Sequence, residues 1–131
     1  MPDLAPTVIP AIRYRDAVRA VDFLVEAFGF ERNAVYADGD VVHHAQLTLG
    51  GAGMVMVSSE TADGIARFGE HAGQGWTYCV VPDPDAHCAR ARAAGAEIFR
   101  ELEDQDYGSR DYSARDFEGN IWSFGTYRPE V

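Results

Sequence analysis

The spacing of hydrophobic positions changes period twice along the chain, and then the same order of changes repeats. An apolar run over Ile9 to Tyr14 predicts a short strand. Asp16 then offers an N-cap, and Ala17, Val21, Leu24, Val25 and Phe28 fall on one face at helical spacing, with Gly29 placed to stop the helix. Three runs with strand character follow, Asn33 to Ala37, His44 to Leu49 and Met54 to Val57, the last two joined by a turn over Gly50 to Gly53. Glu60 to Gly75 is rich in Gly, Ala and charge and reads as a linker with room for a helical turn. The order then restarts. Trp76 to Val81 is a strand, Asp83 caps a helix with Pro84 at its first position, and Gly95 ends it. Glu97 to Leu102 is a strand, Glu103 to Gly108 an acidic loop, and Asp111 to Asp116 with Ile121 to Phe124 a closing hairpin.

A shift of 67 positions superposes the two halves, Ile9 on Trp76, Asp16 on Asp83, His44 on Asp111 and Met56 on Ser123, with a one-residue slip where Gly29 meets Gly95. The chain is therefore expected to be one α+β domain of two βαβββ units, residues 7–58 and 76–127, joined by a linker over 59–75. Two mixed sheets of this kind can form an open half-barrel with the helices outside. Alternation along the strands assigns the faces. Ala45, Leu47, Leu49, Val55, Val57, Trp122 and Phe124 should pack against the helices. The opposite, concave faces then carry Ile9, His44, Gln46, Met54 and Met56 from the first unit. The second unit contributes Trp76, Tyr78, Asp111, Ser113, Arg115 and Ser123, and Tyr107 and Tyr112, beside the acidic loop, are either rim or packing residues. Such a lining suits a planar or amphipathic small molecule, because Trp and Tyr offer faces for stacking or for a cation and methionines adapt to irregular shapes.

The two βαβββ units, the pattern D-x-x-x-x-x-x-F-L-x-x-x-F-G-F-E from Asp16 to Glu31 and the closing D-x-x-G-N turn at Asp116 to Asn120 resemble the vicinal oxygen chelate superfamily of glyoxalases, extradiol dioxygenases and bleomycin-resistance proteins. That resemblance implies metal ligands, in the metal-dependent members, seven residues before each helix-capping Asp and four residues after each hairpin Gly. Here those places hold Ile9, Trp76, Met56 and Ser123, none of them a usual ligand for a divalent ion, and Phe117 stands where the turn commonly has proline. His43 and His44 are adjacent on a strand, so alternation points them to opposite faces. A rebuilt metal site could draw on His44 and Asp111, which hold equivalent places in the two units, with or without His71. His87 is expected on the outer helix, away from the site.

Charge narrows the function further. The 131 residues carry a formal charge of −10, which disfavours nucleic acid and favours solubility or a cationic guest. No apolar span long enough to cross a bilayer and no secretion signal is apparent, and Cys79 and Cys88 match no metal spacing, so the chain reads as cytoplasmic with reduced, buried thiols. The expected function is a metal-free protein without cofactor, similar to the bleomycin-resistance branch, that binds an aromatic or cationic small molecule and forms a homodimer. The alternatives are a metal-dependent glyoxalase- or dioxygenase-like enzyme with relocated ligands, and metal-free acid–base catalysis by His44 with Asp111 or Arg115.

Overall fold

The computed structural model describes residues 6–73 and 75–129, which form two compact units divided after Gly73. The first contains β1 (Ala11–Tyr14), α1 (Ala17–Phe28), β2 (Glu31–Asp38), β3 (Val41–Leu49), β4 (Gly53–Ser59) and α2 (Ala62–Phe68). The second contains β5 (Trp76–Val80), α3 (Pro84–Ala93), β6 (Glu97–Asp104), β7 (Arg110–Arg115) and β8 (Ile121–Gly125). Each sheet is open and four-stranded, in the orders β1-β4-β3-β2 and β5-β8-β7-β6, with one parallel pair and two antiparallel pairs. The α+β class and the repeated βαβββ order are those read from the sequence.

The repeat holds at the level of register. Ala11 pairs with Met56 as Tyr78 pairs with Ser123, and Gln46 pairs with Met56 as Ser113 pairs with Ser123, each 67 positions apart. The slip at the helix ends persists into the outer strands, where Arg32 faces Leu47 but Ile98 faces Ala114. An extra residue in β6, between Arg100 and Glu103, then restores the frame, so that Glu103 faces Asp111 as Tyr36 faces His44. A bulge accommodates such a residue at the cost of one local irregularity.

Local sequence dictates the helix ends. Asp16 accepts the Arg19 amide at 3.1 Å and Asp83 the Ala86 amide at 3.1 Å, while Gly29 closes α1 at φ 81°, a conformation glycine adopts without a Cβ clash. The core of the first unit is Ala17, Ala20, Val21, Leu24, Ala27 and Phe28 of α1 against Ala45, Leu47, Val55 and Val57. In the second, Cys88 and Ala91 of α3 join buried Tyr112, Ala114, Trp122 and Phe124. The segment read as a linker contains α2, capped by the Thr61 hydroxyl on the Gly64 amide and closed by Gly69 at φ 68°; residue 74 of that segment lies outside the described residues. Of α2 only Gly64 is buried, so the helix has no apolar stripe for a sequence pattern to reveal. Among the described residues no helix is long and apolar enough to cross a membrane.

The D-x-x-G-N turn is built around one carboxylate. Asp116, 5% exposed, accepts the amides of Glu118 and Asn120, the Asn120 side-chain amide and the Trp122 indole N–H at 3.0 to 3.2 Å. Asn120 in turn accepts the Gly75 amide at 2.8 Å, tying the start of β5 to the turn that leads into β8.

Candidate functional site

In the second unit the sheet face turned away from α3 is aromatic and partly open. Trp76 is 72% exposed, yet its indole N–H donates to Ser123 Oγ at 3.1 Å, and Ser123 shares a 2.7 Å hydrogen bond with Ser113 Oγ. The Ser113–Ser123 pair follows from register, since the two residues are cross-strand partners. Two buried hydroxyls are thereby satisfied and the indole is held at a fixed tilt with its ring accessible. Arg115, expected beside them, is already engaged. Its guanidinium pairs with Glu97 at 2.8 Å and lies over the Phe99 ring at 4.0 Å.

Further along the same face, Asp111 collects hydroxyls. Tyr78 donates at 3.1 Å and Ser109 at 3.0 Å to Oδ1, and Tyr107 donates at 3.3 Å to Oδ2. Tyr127, beyond the last strand, donates its amide to the Tyr78 hydroxyl at 3.0 Å and stands edge-on to both Tyr78 and Tyr107, with centroids 6.4 and 5.3 Å apart. Burial, countered by the Tyr127 amide and reinforced by Asp111, pushes the Tyr78 phenol up to about 12. It therefore remains a hydrogen-bond donor at neutral pH. Gly125, opposite Asp111, makes this closeness possible. A Cβ there would overlap Asp111 Oδ1 and approach the Tyr78 hydroxyl at 2.6 Å. Beside the tyrosines lies a recess of about 560 Å³ bounded by Tyr107, Gly108, Ser109, Thr126, Tyr127 and Arg128. Strand alternation does not reach Tyr127 because it follows β8; of the two roles open to Tyr112, rim or packing, it takes packing, at 1% exposure.

The first unit has a separate recess of about 370 Å³ on the face away from α1. Met56 and His44 border it as the alternation requires, together with Arg13, Glu70 and His71. Arg13 spans the recess wall, donating to the Ser59 carbonyl and to Glu70, each at 3.0 Å. His43 borders it too, which corrects the expectation that His43 and His44 oppose each other. Tyr36 faces His44 while Ala37 faces Val42, so His43 is the extra residue of a bulge and strict alternation fails there. Val42 takes the core place, with its amide on Ser59 Oγ at 2.9 Å. His44 Nε2 is bonded to Gln46 Oε1 at 2.9 Å, and Gln46 donates to Asn33 at 2.8 Å. Ile9 and Met54 are partly exposed and border neither recess.

The residues at the four expected ligand places do not suit a metal. Trp76 offers only an N–H, which Ser123 takes, and Ile9 and Met56 offer no hard donor. Within either unit no three His, Cys, Asp or Glu side chains among the described residues are grouped to hold an ion. His87 lies on helix α3, as expected, with its ring turned toward the core. Its ring lies 4.2 Å from that of Phe124, and Nδ1 is hydrogen-bonded to the Tyr112 hydroxyl.

Two parallel–antiparallel sheets with a common 67-residue frame and a D-x-x-G-N turn closing the second define a recognisable class. A family model described as the glyoxalase/bleomycin resistance protein/dioxygenase superfamily matches residues 7–124, and the chain belongs to that superfamily. It is similar to TioX from Micromonospora sp. ML1, at 36% identity and a TM-score of 0.76 over 95% of this chain and 98% of that one. The fold is shared with TnmS3, an antibiotic binding protein from Streptomyces sp. CB03234, at 20% identity and a TM-score of 0.71 over 92% and 93% of the two chains. An uncharacterized protein of Mycobacterium tuberculosis strain H37Rv is 30% identical over 98% of this chain and 79% of its own length.

Proposed function

We propose that this chain is a metal-free binding protein that sequesters an aromatic or cationic drug or metabolite. The carrying observation is Trp76. An indole that is 72% exposed, yet pinned through its N–H to a buried serine pair, is a stacking platform whose orientation is fixed before a ligand arrives. On the same unit as Trp76 the proposed ligand contacts are Tyr78, Tyr107, Asp111, Ser113 and Ser123, and the first unit on its own offers Ile9, His44, Gln46, Met54 and Met56. Arg115 belongs to the same face but serves it through its ion pair with Glu97. The fold shared with TnmS3, an antibiotic binding protein, is compatible with a ligand of that kind. The reading includes a cytoplasmic homodimer, which light scattering after size exclusion would check.

Fluorescence tests it directly, because the other tryptophan, Trp122, is fully buried. Planar antibiotics should quench the Trp76 component saturably, the quenching should disappear in Trp76→Ala, and Trp76→Phe should retain binding measured by calorimetry. Quenching that never saturates would overturn the reading. A second reading is catalysis with relocated metal ligands; His43, His44 and His71 border one recess but are not grouped as ligands, so their side chains would have to converge on an ion. Stoichiometric zinc, nickel, iron or manganese in protein supplied with those ions, lost in His44→Ala, would favour it.

A further inference from the structure

We propose that the corner formed by Tyr78, Tyr107, Tyr127 and Asp111 binds an alkylammonium group, the cationic head of an amine-bearing guest. The inference deepens the binding reading by assigning the guest's charge to one place. Three tyrosine rings meet there, with Tyr127 nearly perpendicular to both Tyr78 and Tyr107, at 85° and 78°. Perpendicular rings present faces and edges around a common space instead of closing on each other in a stack. A cation within about 6 Å of a ring centroid is attracted by the negative face of the ring.

Asp111 supplies the charge that the rings cannot. Among the described residues it has no ion-pair partner: its three contacts are the neutral hydroxyls of Tyr78, Tyr107 and Ser109. Its neighbour Arg110 is turned elsewhere, to Asp85 and Asp104. A carboxylate offers about four lone-pair positions, so three hydroxyl donors fix its orientation and leave room for one more contact. The negative charge is thus oriented but not neutralised. Tyr107 and Tyr127, at 63% and 42% exposed, leave the corner open to a ligand, and the adjoining recess has room for the rest of the molecule. Arg128 borders the recess and bears the wrong charge for an ammonium; it makes no ion pair with Asp111. It opposes binding at long range and is a control for the sign of the effect.

Choline and 3,3-dimethylbutan-1-ol, which replaces the quaternary nitrogen with carbon in the same shape, separate charge from bulk. In the full chain, choline should shift the amide resonances of Ser109, Thr126 and Tyr127 saturably, and the neutral analogue should bind at least roughly tenfold more weakly. Asp111→Asn and Tyr127→Ala should each weaken choline binding by about tenfold or more, Tyr127→Phe should preserve it, and Arg128→Ala should strengthen it. Equal affinity for the two probes, unchanged choline binding in Asp111→Asn, or no shifts at these residues would overturn the assignment. Saturable quenching of Trp76 by an aromatic compound in a protein silent to choline would retain the binding reading and remove the ammonium corner. The reverse pattern would retain the corner and remove the Trp76 platform.

Discussion

Asp116 shows how much one side chain organises. Its two oxygens satisfy four donors from the turn and from β8, and a buried donor stripped of its acceptor costs more than the bond itself contributed. Asp116→Ala should therefore lower stability by about 3 kcal/mol or more, a fall in thermal midpoint on the order of 10 °C by circular dichroism. A fall of only a degree or two would mean that water replaces the carboxylate freely. Gly125→Ala tests a different constraint, since the methyl group would displace Asp111 from Tyr78. It should cost about 1–3 kcal/mol in chemical denaturation while leaving the core of Trp122 and Phe124 intact by near-ultraviolet spectra. The D-x-x-G-N pattern was legible in sequence because its spacing carries its chemistry. His87 and Tyr127 were not. His87 needed its place in the Pro84, His87, Cys88, Ala91 spacing to be weighed as an inward face, and Tyr127 lies where no periodicity extends.

Strand β5 carries two neighbouring groups whose ionisation is resisted by the fold. Burial pushes the Cys79 thiol from 9.0 up to about 12, and chiefly burial pushes the Tyr78 phenol from 10.0 up to about 12. Both are protonated in folded and unfolded chains below pH 9. Above that the unfolded chain releases its protons first, so stability should fall as pH rises from about 9 to about 12. Denaturation midpoints taken across that range should decline, and Cys79→Ala should remove the earliest part of the decline. Rapid reaction of the native Cys79 thiol with Ellman's reagent at pH 9 would contradict this. The strands and the two long helices were readable because alternation, caps and glycines agree with the tertiary outcome. α2 and the His43 bulge were hidden for opposite reasons, one having no apolar face and the other breaking an alternation that the sequence alone cannot show to be broken.

At the scale of the whole chain, 21 acidic residues face 11 basic ones, and the ion pairs that exist are mostly exposed. Such pairs contribute about 0–1 kcal/mol each and weaken with salt, whereas an excess of ten negative charges repels itself throughout the chain. Self-repulsion should win, so raising sodium chloride at neutral pH should raise the thermal midpoint; a fall would assign the larger role to the ion pairs. The fold was legible at this scale through the 67-residue frame. For the candidate site, strand parity identifies which residues share a face but not which of them, like Arg115, spend their charge on a neighbour.

The bulge in β6 has a bearing on how this chain can vary. The two units fall out of step by one residue at their helix ends, and that slip is taken up on β6, an edge strand with a partner on one side only. The inner strands β7 and β8 keep step with β3 and β4, so every side chain on them stays on its original side. Length can drift at the margin of each sheet without rewriting its centre. The same single insertion in β7 would turn Asp111 and Ser113 inside out.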